Sequence, residues 1–66
     1  MILTRTTNAD NVLAQANDQL NLTGSQYIEV LAKADECAQM SHHDEIQMED
    51  MLWALDLVLG WSANHE

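Results

Sequence analysis

Apolar residues in the first part of the chain recur at helical spacing. Ala9, Leu13, Ala16 and Leu20 share one face of a helical wheel, while Asn11, Gln15, Asp18 and Asn21 fall largely elsewhere, so an amphipathic helix is expected over residues 8–21. Thr7, three residues before Asp10, supplies a capping-box-like start. The stretch LTGSQY carries a second start signal. Thr23 can cap, Gln26 can reach back as the third helical residue, and Leu22 can pack on Tyr27 as a hydrophobic staple. A second helix over 24–40 then turns Tyr27, Val30, Leu31, Ala34 and Ala38 inward and Glu29, Lys33 and Glu36 outward. Glu29 and Lys33, four apart in the favourable order, add about 0.3 kcal/mol.

A competing pattern runs through the break. Leu13, Ala16, Leu20, Thr23, Tyr27, Val30, Ala34 and Cys37 alternate at spacings of three and four, as one continuous helix through Gly24 would require. Such a helix, forming a hairpin with the last one, would be roughly 50 Å long against about 27 Å for its partner, at 1.5 Å per residue. Helical glycine costs only about 1 kcal/mol, so a dimer could cover the excess length. A break near Thr23 is the expectation.

SHHDE interrupts the periodicity. Ser41 with Asp44 resembles a further cap, and a third helix is expected over about 44–61, starting between His42 and Gln47. Within it, MLWALDLVLGW has Asp56 as its one charged residue. Met48, Met51, Leu52, Leu55 and Leu59 form one stripe, which suits packing on the first two helices. Trp53, Leu57 and Trp61 form a second on nearly the opposite side, with Ala54 and Val58 between the two. Eleven residues are too few to cross a bilayer, and a helix apolar all round is ordinarily buried all round. Trp53, Leu57, Trp61, Ala54 and Val58 are therefore the expected interface with another molecule, most economically a second copy in a four-helix or six-helix bundle.

Composition supports an all-α reading: there is no Pro, two Gly, and 47% of residues are apolar. Sixty-six residues allow one small helical domain, 1–66, with a marginal core that a dimer would complete. Charge changes the functional picture more. Arg5 and Lys33 face eleven acids, a net charge of -9, which argues against direct nucleic-acid or anionic-membrane binding. Asp35, Glu36, Asp44, Glu45, Glu49 and Asp50 form the expected acidic surface. Cys37 has no disulfide partner and the N-terminal apolar run is too short for a signal peptide, so cytoplasmic residence is expected.

Chemistry is sparse. His42 and His43 beside Asp44 and Glu45 invite a metal reading, with Cys37 five residues earlier, but adjacent helical residues point apart and one ion would need a loop geometry. A solvated inter-helix loop is the favoured reading, and no metal or cofactor is expected. Exposed His beside acids also allows a pH-sensing role. The acids have no evident pocket, no nucleophile elbow or phosphate loop occurs, and Cys37 lies near the apolar stripe, so an enzyme is not expected.

In form alone the inferred architecture resembles the small helical-hairpin dimers of bacterial and phage-borne regulators of the Rop type. Rop's RNA-binding role does not carry over, because the basic face it requires is missing. The sequence thus predicts a non-enzymatic interaction module, a homodimeric regulator or adaptor that binds a larger protein through apolar helix surface. The alternatives are an acidic mimic of nucleic acid that inhibits a basic enzyme, and an acidic secretion chaperone.

Overall fold

The computed structural model describes residues 3–62, so the ends of the expected 1–66 domain lie outside the described residues. It contains three helices, α1 (Thr7–Leu20), α2 (Gly24–Met40) and α3 (Met48–Leu59), and among the described residues no strand. The all-α expectation is met.

The chain breaks where LTGSQY predicts. Asn21 adopts a left-handed conformation (φ 52°) that ends α1, and Leu22 N donates to Asn17 Oδ1 at 3.2 Å. Two residues later the capping box closes: Gln26 N donates to Thr23 Oγ1 at 3.1 Å and Thr23 N to Gln26 Oε1 at 3.0 Å. With donors satisfied on both sides of a tight turn, the continuous-helix alternative is excluded. At the other end of α1 the cap is Thr6 rather than Thr7, its hydroxyl accepting from Ala9 N at 3.1 Å. Asp10 pairs instead with Arg5.

The third helix differs from expectation at both ends. It starts at Met48 because Ile46 is already committed elsewhere: Ile46 N donates to Thr4 O at 2.8 Å and Thr6 N to Ile46 O at 3.0 Å, a parallel bridge between the lead-in segments of α1 and α3. Its start is secured by Asp50, whose carboxylate accepts from Gln47 N at 2.9 Å, and not by Ser41 with Asp44. It ends at Leu59 because Gly60 turns left-handed (φ 67°), with Gly60 N bonded to Asp56 O at 2.9 Å.

From the bridge, α1 and α3 run in the same direction, and they meet again where Trp61 Nε1 donates to Gln19 Oε1 at 2.9 Å. α2 returns against them, bringing its C-terminal end to the start of α3. α3 packs on both other helices, which scarcely touch one another. Alanine makes that intimacy possible: Ala9 and Ala16 on α1, Ala34 and Ala38 on α2, and Ala54 on α3 are all completely buried. Leu13, Val30, Ile46, Met51 and Leu55 fill the space between them.

This arrangement shows how a helix apolar on most sides is accommodated. The buried side of α3 takes Met51 and Leu55 from the stripe expected inward and Ala54 from between the two stripes, with Val58 partly covered, while Trp53 and Leu57 of the second stripe stay outward. Met48, assigned inward by the wheel, is exposed, as is Leu20 at the end of α1. No helix among the described residues is long and apolar enough to cross a membrane.

Candidate functional site

Of the five residues expected at an interface, the structure leaves two outward. Trp53 (44% exposed) and Leu57 (56%) lie one turn apart on the outer face of α3. Ala54 is fully buried and Val58 half-buried, so neither presents a free surface. Trp61 is the clearest correction. Helical-wheel spacing does not hold past Gly60, where the helix has ended, and the indole turns into the core at 7% exposure, with its N–H on Gln19. Glu49 and Asp56 are exposed on the same helix, so the Trp53–Leu57 pair sits in an acidic frame.

The expected acidic surface is also sorted. Glu36, Asp44, Glu45 and Glu49 are exposed. Glu36 takes Lys33 at 3.6 Å, in place of the predicted Glu29–Lys33 pair, and Glu45 Oε2 accepts from Thr4 Oγ1 at 3.2 Å. Asp35 is half-buried and structural, accepting from Leu3 N and from Gln39 Nε2, each at 2.8 Å. Asp50 does not belong to the surface at all: it is 1% exposed.

Asp50 is the centre of a polar node where the end of α2, the following loop and the start of α3 converge. The loop reverses through a left-handed His42 (φ 61°) and is tied back by His43 N on Ala38 O at 2.8 Å. This brings His43 Nδ1 to 2.7 Å from Asp50 Oδ2. The same oxygen accepts from Gln47 N, and the Cys37 thiol donates to the carboxylate. Burial alone would raise the Asp50 pKa, but the bonds from Gln47, His43 and Cys37 outweigh it and hold the carboxyl below its usual range. The thiol responds in the opposite sense. Burial, the bond to Asp50 and the charges of Asp50 and Glu49 push Cys37 up to about 11, so it is a protonated hydrogen-bond donor and a poor nucleophile. The order of groups matters here: the carboxylate stands between thiol and imidazole, so the thiol has the acid and not the imidazole as its partner.

The pairing of His43 with Asp50 is not evident from the sequence, where the two lie seven residues apart on different elements. The available signal was that Asp50 follows Gln47 by three, the spacing of a capping carboxylate, immediately before the apolar run. A depression lined by Leu3, Gln39, His42, His43 and Asp44 opens beside the node. Comparison with protein families, with curated proteins and with solved structures found no match.

Proposed function

We propose that this chain is a non-enzymatic helical interaction module, a regulator or adaptor that binds another protein through the outer face of α3. The observation that carries this reading is the Trp53–Leu57 pair, two large apolar side chains about half exposed and one turn apart on a helix whose other large residues are mostly covered. Tryptophan is the residue type most enriched at binding hot spots, and a pair at this spacing suits an apolar groove or helix face. The frame of Glu49 and Asp56, with the net charge of -9, favours a partner whose apolar contact is ringed by Lys or Arg.

The test is affinity capture with the wild-type chain and with Trp53→Ala and Leu57→Asp, followed by measurement of the recovered complex. A partner with a basic rim that is lost with either variant, while circular dichroism shows both variants folded, supports the reading. A partner retained by both variants, but lost when Asp44 and Glu45 are neutralised, points to the acidic mimic instead.

A second copy of the chain is the other occupant considered. It is favoured by the additional exposure of Leu20, Ile28, Met40 and Met48, and opposed by the like charge it would bring together. Sedimentation equilibrium decides between them: a dimer that dissociates in Leu57→Asp supports self-association, and a monomer at high micromolar concentration excludes it.

A further inference from the structure

We propose that His43, Glu49 and Asp50 form a binding site for a divalent transition-metal cation of the zinc class. Each of the three offers one ligand atom, and these atoms all lie within 4.8 Å of one another. Metal–ligand bonds of about 2.0–2.2 Å put neighbouring ligand atoms roughly 3.3 Å apart in a tetrahedral shell, so small adjustments close the set. The adjustment falls on a side chain able to make it, because Glu49 is exposed. His43 and Asp50 move apart by about half an ångström as the ion replaces the proton they share, and that proton passes to Nε2 or to solvent.

Three features point to a cation here rather than to a self-sufficient ion pair. The first is charge: Asp50 is a buried carboxylate, and both of the chain's basic side chains are engaged elsewhere, Arg5 with Asp10 and Lys33 with Glu36. The second is that Glu49 adds a further negative charge to the same spot and takes part in no ion pair with another described residue. The third is the loop. The requirement that a His of the HHDE run face a ligand set on another element is met by the left-handed His42, which directs His43 to the first turn of α3. The donor set of one imidazole nitrogen and two carboxylate oxygens suits zinc and its neighbours better than calcium or magnesium, which prefer oxygen shells, and the exposed side leaves room for water in the remaining positions. Cys37 is not among the residues whose ligand atoms converge there.

Titration of the chelator-treated 66-residue chain with zinc chloride by isothermal calorimetry tests this site, with thermal melting in parallel. One equivalent should bind with a dissociation constant below about 10 μM, a threshold consistent with three protein ligands and open positions, and the melting temperature should rise. Glu49→Gln should weaken binding about tenfold or more while the metal-free melting curve stays unchanged, because Glu49 is exposed. Asp44→Asn and Glu45→Gln, also exposed acids but outside the set, should bind as wild type. Cobalt(II) should give visible absorption bands that Glu49→Gln diminishes. Absence of saturable binding at millimolar zinc overturns the proposal. So does an equal loss in the Glu49, Asp44 and Glu45 variants, which would mean diffuse attraction to an acidic surface.

Discussion

Replacing Asp50 with Asn changes almost nothing in shape and removes the charge on which three donors converge. The buried carboxylate accepts from Gln47 N at 2.9 Å, from His43 Nδ1 at 2.7 Å and from the Cys37 thiol. Hydrogen bonds to a charged acceptor contribute about 1.5–3 kcal/mol against about 0.5–1.5 for neutral ones, so two of these bonds each weaken by about 1 kcal/mol. The new amide also turns a donor toward donors at 1% exposure, which adds about 1 kcal/mol more. A loss of about 2–3 kcal/mol is a large share of the roughly 3–10 kcal/mol that a domain of this size has in total. It should lower the melting temperature by about 10–20 °C. Urea denaturation followed by far-ultraviolet circular dichroism at pH 7 gives the difference directly. The pH dependence supplies an independent check. Because the folded-state pKa of Asp50 lies below its unfolded value, its contribution is complete above the unfolded carboxyl pKa near ~3.9 and disappears as pH falls through the lower folded value. The gap between wild type and Asp50→Asn should therefore close on acidification from pH 4 downward. A variant within about 0.5 kcal/mol of wild type at pH 7, or a gap that persists at low pH, refutes the assigned role of the carboxylate.

Three further outcomes are expected. Trp61→Ala should destabilise the fold by about 3–5 kcal/mol whereas Trp53→Ala should cost less than about 1 kcal/mol, and acrylamide should quench the Trp53 emission in Trp61→Phe far more than the Trp61 emission in Trp53→Phe. Cys37, with its pKa raised from 9.0 to about 11, should react with a thiolate-selective disulfide reagent at pH 8 about 100-fold more slowly than in the urea-unfolded chain; equal rates would contradict the burial and bonding described. Gly60→Ala should lower stability by about 1 kcal/mol in the same urea assay, since φ of 67° is unfavourable for a residue with a β-carbon even though no neighbour crowds that position.

The parts of the fold legible in the sequence were those governed by local chemistry. The Thr23–Gln26 box, the break after Asn21 and the inward face of α2 all follow from residues a few positions apart, where side chain and backbone satisfy one another. The start of α3 was not legible, because it depends on Ile46 pairing with a segment 41 residues away in sequence, between Thr4 and Thr6, and no local pattern signals that bridge. The outer stripe was misread at Trp61 for a related reason: helical periodicity says which residues share a face while the helix lasts, and Gly60 ends it. Asp50 looked like one of six surface acids, since a count of charge cannot separate a solvated carboxylate from one inside a node of donors. The Trp53–Leu57 pair, by contrast, was visible because it lies in mid-helix, where the wheel is valid.

The near absence of contact between α1 and α2 has a consequence for the order of events during synthesis. Translation adds about 5–20 residues per second, while a helix forms in about a microsecond or less. On that comparison, the segments of α1 and α2 are synthesised a second or more before the helix on which their alanine faces close. Burial of those faces waits for residues 48–59. A chain ending before Met48 should then be the species that chaperones recognise, and a peptide spanning residues 48–61, supplied separately, should be able to rescue it.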